Sequence, residues 1–511
     1  GSSTASNNTA YGAYALYKTT TGTTNTALGL SALEQNTTGD YNTAAGHAAL
    51  QKNTTANANS SFGYQALEEN TTGTQNDAFG FTAMTAQTTG NYNAAFGALS
   101  AVSLNGGNRN TFCGNSAGSG LTSGSDNVFL GYKAGNSTTT ADNNVAIGKE
   151  ALFTNTTGAQ CIAIGRQALH DATTASYNVA IGYLAMAVTT TGHSNTAVGS
   201  FALDSNTTGT YGTAFGYEAL GANTTGAHNT AVGYHAAKDL SGGQYNTAIG
   251  AYAMDEATTA DYCTVIGYEA AGAGTMTAPY NTLVGVHAGK DMTSGTQNTC
   301  MGIESGQNLT TGSFNVSMGR QSLNDATTSS YNTCLGYNAG QGLTTGGNNV
   351  LVGHEAGTSS SPAGSLTADN NVVSLGNNSI TSFYCKISTI QTSDIRDKTD
   401  VTDFKHGLSW ITKLRPVTYR WDMRSNYENG TPDGSKKEER LHLGFIAQEE
   451  LEIEKEHGFA NDKNDMLLAN VNADGNYGMH YDRLVPILVN AVKELSAKND
   501  TLAAEVEQLK S

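Results

Sequence analysis

Through most of the chain, apolar residues occur in short alternating runs that end on glycine, with none of the three-and-four spacing of an amphipathic helix. The pattern is close to Asn-Thr-Ala-x-Gly-x-x-Ala-Leu, and an Asn-Thr-Thr-Gly group ends ten residues after the first glycine. These anchor glycines run from Gly12, Gly29 and Gly46 through Gly267 at a constant 17 residues. The register slips by one at Gly285, beside Pro279, and resumes through Gly302, Gly319, Gly336 and Gly353. It then stretches to 23 residues before Gly376, across a Ser/Pro-rich insertion around Pro362. A fixed short period with small residues at fixed places predicts a solenoid, in which one repeat is one coil and buries its face on its neighbours.

Such a repeat is too short for a helix pair and suits two short strands and two turns. Ala, Val, Ile and Phe near the anchor are expected to face inward, and Asn-Thr-Thr-Gly to form a turn whose glycine takes positive φ. About twenty coils at ~4.8 Å each would make a rod on the order of 100 Å long. Because the inward residues are mostly small, the core is expected to be shared by three chains, as a β-roll or an interlocked triple β-helix. The expected fold is therefore mainly β: a repeat rod over residues 1–391, then a small α+β domain over 392–511 that ends in a coiled-coil helix, 488–511.

Charge marks the same boundary. Sixteen of the 26 lysines and arginines, and 22 of the 43 acids, follow residue 391, as do both tryptophans, Trp410 and Trp421. A net charge of −17 argues against nucleic acid or an anionic membrane as partner, since no basic patch exists to displace counterions from phosphates. No apolar run of about 18 residues is present, so no membrane insertion is expected, and no signal-peptide pattern opens the chain. Gly1-Ser2-Ser3 reads as a cloning scar with the repeat already running by Asn8, so an upstream attachment region is expected to be missing.

Several short motifs within the array are absorbed by the repeat. Gly114-Asn115-Ser116-Ala117-Gly118 spells a nucleophile elbow but sits on an anchor, without a strand-to-helix context. The Asn-Thr-Thr groups at Asn36, Asn53, Asn70, Asn155, Asn206 and Asn223 spell glycosylation sequons, yet they fall at the turn of each coil. Cys113, Cys161, Cys263, Cys300 and Cys334 occupy positions otherwise held by small or inward residues, so they read as core fillers, too far apart for disulfides within one chain. His47, His170, His193, His228, His235 and His287 show no metal-ligand spacing and read as surface residues; neither metal nor cofactor is expected.

After the array, Thr392-Ser393-Asp394-Ile395-Arg396-Asp397-Lys398 leads into Leu408-Ser409-Trp410-Ile411-Thr412-Lys413-Leu414-Arg415-Pro416-Val417. His442-Leu443-Gly444-Phe445-Ile446-Ala447-Gln448-Glu449 and Tyr481-Asp482-Arg483-Leu484-Val485-Pro486 follow. This order resembles the intramolecular chaperone domain, peptidase family S74, that ends many phage tail spikes and fibres. The array in turn resembles the heads of trimeric bacterial adhesins and tail-fibre shafts. The resemblance implies a domain that trimerises the chain, templates folding of the rod and is released by autoproteolysis. It implies Ser393 as nucleophile, Lys398 as its general base and Thr392-Ser393 as the scissile bond. Asp394 and Arg396 match the motif, with orienting or interface roles at most. A serine needs a base to become nucleophilic, and lysine serves once its neutral form is favoured.

The final segment points to trimerisation independently. Leu488, Val492, Leu495, Asn499, Leu502, Val506 and Leu509 alternate at four and three residues, a heptad seam in which the lone Asn499 would fix register. The expected protein is a homotrimeric phage tail fibre or spike in the virion tail, assembled in the host cytoplasm. It would bind a host surface receptor, and other tail proteins through the missing N-terminal region. The alternative is a non-viral trimeric surface adhesin without catalysis. A glycan-degrading spike would need paired carboxylates across a cleft, whereas Glu68-Glu69 and Asp255-Glu256 are merely adjacent in sequence.

Overall fold

A computed structural model describes residues 4–382, 393–424, 427, 430–471 and 475–510. The chain forms two compact units, Gly1–Asn332 and Thr333–Ser511. The first is a β-solenoid with one strand per coil, from β1 (Thr9–Tyr11) to β19 (Val316–Met318). Successive strands pair in parallel with no slip, Thr9 opposite Thr26 and Ala10 opposite Ala27. The second unit holds three more coils, with β20 (Thr333–Leu335), β21 (Val350–Val352) and β22 (Val373–Leu375), and the C-terminal domain. The expected boundary at 391/392 lies at the edge of residues 383–392, outside the described residues.

Each coil contains one three-residue strand, where the repeat suggested two. The remainder is a chain of turns, and its residues two and four places after the anchor, such as Ser31 and Leu33, have φ of 55° and 51°. Backbone polar groups are nonetheless paired, because each coil hydrogen-bonds to the next: the Thr26 N–H donates to Asn42 O at 2.8 Å and the Gly29 N–H to Tyr11 O at 2.8 Å. Pairing between coils therefore replaces the second strand.

Positive φ belongs to the anchor glycine, and the expected glycine of the Asn-Thr-Thr-Gly turn does not have it. From Gly12 to Gly336 the anchors range from +130° at Gly250 to +149° at Gly80, and Gly353 and Gly376 have +112° and +70°, a region that side chains disfavour. A Cβ on Gly12 would also lie 2.4 Å from Gly29 O. The turn glycines lie close to the next coil, a Cβ on Gly39 falling 2.3 Å from Ala56 O, yet Ala56, Ala141, Ala175 and Ala260 hold the same place in other coils, so glycine is favoured there and not required.

Two ladders of buried asparagine run through the stack. Asn42 receives nothing from its own coil; its N–H donates to Asn25 Oδ1 at 2.9 Å and its Nδ2 to Ala56 O at 2.8 Å. Asn53 Nδ2 donates to Asn36 Oδ1 at 2.8 Å in the second ladder, which buries the sequon side chains. Cys161 and Cys263 occupy positions in the first ladder; Cys161 Sγ takes over the amide's bond to the next coil, reaching Ala175 O at 3.3 Å. Burial raises the Cys263 thiol to about 11 and the Cys300 thiol to about 12. Cys113 departs from the expected filler role: it ends its strand facing outward and is exposed.

The core expected to be shared by three chains is instead closed within each coil. The middle strand residue and the residue four after the anchor meet inside, and their volumes are complementary. Ala27 meets Leu33 and Ala44 meets Leu50, all fully buried. Where the strand carries Phe112 or Phe129, the partner is Gly118 or Gly135. A Cβ at Gly118 would fall 2.4 Å from Phe112 Cε1, so the ring takes the room that leucine fills in other coils; at Ala95/Ala101 and Ala231/Ala237 both residues are small.

In the C-terminal domain, α1 (Leu408–Ile411) precedes an antiparallel pair, β23 (Val417–Tyr419) and β24 (His442–Gly444). Helix α2 (Ala447–Glu456) leads to a second pair, β25 (Ala469–Val471) and β26 (Tyr477–Met479), and to α3 (Leu484–Lys510). Trp410, Ile453, Leu468, Leu484 and Ile487 form its core.

The complementarity predicts a reciprocal exchange. Phe112→Ala should destabilise the rod by roughly 3–5 kcal/mol, and Gly118→Leu should be worse than neutral. The double variant, which recreates the Ala/Leu pairing of other coils, should recover most of the loss in thermal unfolding.

Candidate functional site

The Ser-Lys junction is folded by its own acid. Asp394 caps a 3₁₀ turn over Ile395–Asp397, accepting the Arg396 N–H at 2.9 Å. Its carboxylate also takes the Arg396 guanidinium, Nη2 at 2.6 Å from Oδ2 and Nε at 3.1 Å from each oxygen. Hydrogen bonding to Arg396, side chain and then backbone, holds the Asp394 carboxyl below its ordinary value, and Asp394 raises that of Arg396. The turn closes with the Lys398 N–H donating to Ile395 O at 3.2 Å. This reversal of the chain carries Lys398 Nζ to 2.7 Å from Ser393 Oγ.

Ser393 and Lys398 are therefore in contact, and Asp394 and Arg396 form the clamp beside them. All four belong to one short segment exposed in the single chain, with Asp394 half-buried. In this bond the lysine nitrogen donates to the hydroxyl; general-base action requires the same pair with the proton moving from oxygen to nitrogen. Thr392, the acyl side of the expected scissile bond, lies outside the described residues. Among the described residues no His/Cys/Asp/Glu group could hold a metal ion, and no helix is long and apolar enough to cross a membrane.

The seam residues all lie on α3. Leu484, Ile487 and Ala491 face the domain core, while Asn490 Nδ2 donates to Phe404 O at 2.6 Å and Glu494 accepts the Leu408 N–H at 3.0 Å. The adjacent row of Leu488, Val492, Leu495, Asn499, Leu502, Val506 and Leu509 is exposed, reaching 88% at Leu509. The helix thus anchors one face on its own domain and leaves the heptad row uncovered.

A second feature was not singled out from sequence: two carboxylates buried in the domain core. Glu454 accepts three backbone N–H groups, from Leu467 at 2.8 Å and from Leu468 and Ala469 at 2.6 Å, and so pins the entry to β25. Glu450 accepts the Trp410 indole N–H at 2.8 Å, and its other oxygen has no hydrogen-bond partner. Burial pushes the Glu450 carboxyl up to about 7, against the stabilising Trp410 bond and with the help of Glu454. The available signal was the four-residue spacing of the two acids around Ile453, which places both on the apolar face of α2.

Residues 393–459 match the family described as chaperone of endosialidase, peptidase family S74. No curated protein matches the chain. The chain thus carries, after its β-solenoid, a C-terminal segment similar to the chaperone-of-endosialidase family. The combination fits a tail-fibre-like protein, and the family match begins at Ser393 itself.

Glu450 generates a pH prediction. A carboxyl raised in the folded state binds its proton more tightly there, so its stabilising contribution is complete below its ordinary value of 4.5 and is lost as pH rises through about 7. The chaperone domain should melt at least roughly 5 °C lower at about pH 8 than at about pH 5. Glu450→Gln should flatten this dependence, read from Trp fluorescence in the full chain.

Proposed function

We propose that this chain is a homotrimeric phage tail-fibre or spike protein, whose rod attaches to a host surface receptor and whose C-terminal domain assembles the rod and then leaves by self-cleavage. The observation that carries the reading is the 2.7 Å contact between Lys398 Nζ and Ser393 Oγ at the first residue of the family match. The exposed heptad row of α3 supports assembly, because an isolated helix gains nothing from an apolar stripe in water.

The chemistry follows from the position of the nucleophile. Ser393 supplies the nitrogen of the scissile amide, so attack of its Oγ on the Thr392 carbonyl carbon moves the acyl group from nitrogen to oxygen. Lys398 takes the hydroxyl proton and returns a proton to the departing amine. Water then hydrolyses the ester, leaving a Thr392 carboxylate and a free Ser393 amino terminus. A lysine does this only when its charged form is disfavoured. The exposed junction of one chain does not provide that environment, and burial between neighbouring copies would. Cleavage would then follow assembly, and loss of the template would leave a rod that is kinetically slow to unfold.

On a denaturing gel the wild type should run as two fragments, the smaller beginning at Ser393, while Ser393→Ala and Lys398→Ala stay intact. Lys398→Arg should also stay intact, since guanidinium keeps charge and donors but cannot accept the proton. A wild-type trimer that remains full length would remove the protease reading. Deleting 393–511 from the gene should give aggregated rod, and soluble trimers from that deletion would remove the folding role.

A further inference from the structure

The last residue of each strand, one place before the anchor, points away from the coil interior. In a polar, Thr- and Asn-rich array this outward row should be mixed. It is instead apolar in every strand from β1 to β19, from Tyr11 to Met318, with no charged or amide side chain at this place. Phe215 is 56% exposed and Ile249 38%. A parallel ladder with an uncovered apolar face is unusual, because parallel sheets are ordinarily covered on both faces, and an exposed patch of this extent marks an interaction surface.

We infer that this row is the face on which three copies of the rod pack against one another around an axis parallel to the rod. The inference rests on the homotrimer reading above and adds which surface the copies share. Three observations select a copy of this chain as occupant. An apolar row repeating once per coil is matched continuously only by a surface with the same axial period, which another copy supplies. A rotation axis also sets each residue against its own copies. Like charges would repel there, and charge is what this row lacks, whereas the row just after the anchor admits Lys149, Arg166 and Arg320. Finally, the charged pairs that do bridge coils, such as Lys52–Glu69 and Arg109–Asp126, lie on other rows and are satisfied within the chain.

The row also carries register. Phe62, Phe79 and Phe96 stack at 4.7 and 4.9 Å and are followed by Cys113, while Ala45 precedes them. Copies in register place Phe against Phe; a one-coil slip sets Ala45 against Phe62 and Cys113 against Phe96, leaving gaps at both ends of the block. The terminal domain brings chain ends together, and this face rejects misaligned rods.

The test uses the full chain in a Cys113→Ser/Cys385→Ser background, with single cysteines probed by a short bis-maleimide and the mass in solution measured in parallel. Ile249→Cys should cross-link copies, and Thr208→Cys, on the exposed turn, should not. In the Cys385→Ser background, the native Cys113 should cross-link as Ile249→Cys does. A trimer that cross-links through Thr208→Cys, or through neither position, overturns this face while leaving the trimer reading intact. A monomer overturns both.

Discussion

The structure depends on how closely successive anchor glycines approach. Through most of the array a backbone carbonyl of the next coil occupies the volume that an anchor's Cβ would fill, 2.4 Å away for Gly12 and 2.2 Å for Gly63. That contact, together with φ near +140°, fixes one point per coil, and it is kept from Gly267 to Gly285 O at 2.3 Å even where the repeat is one residue longer. Hydrogen bonds, asparagine ladders and core pairs all inherit the same period because they are built between residues 17 apart. Extra residues lengthen the spacing at two places, beside Pro279 and in the insertion around Pro362.

The period was legible because glycine at this position has no substitute, so it recurs without exception. The strand count was not, since a three-residue strand and a run of turns carry similar small residues, and the pairing partner is another coil. The closure of the core within one chain was hidden by averaging: Ala, Leu, Phe and Gly look like loose degeneracy until Phe112 is seen against Gly118 and Ala44 against Leu50. Cys113 was misplaced for a related reason. One residue before the anchor and two residues before it are both apolar, and only the side of the strand separates Cys113, outside, from Cys300 and Cys334, inside.

At the junction, the residues were legible and their geometry was not. Ser393 and Lys398 stand five apart, which fits many conformations; the Asp394 cap and its Arg396 clamp select the one that joins them. The buried pair Glu450 and Glu454 escaped because charged residues on a helix normally read as solvated. Their cost is met by the Trp410 indole and by three backbone donors, partners supplied from distant parts of the sequence. The domain therefore buries two acids on fixed partners in its core, while the Ser393–Lys398 segment is exposed.

The volume balance inside each coil has a consequence for how such a chain can change. Because a bulky residue and its compensating glycine belong to the same 17-residue unit, a unit that is duplicated or lost carries most of its volume balance with it, the rest lying with the next coil, where Phe129 Cδ2 comes within 3.2 Å of a Cβ at Gly118. Length can then vary by recombination between repeats, in discrete steps, at little thermodynamic penalty. The reach of the molecule is in this sense an inherited integer, adjustable without redesign of its interior.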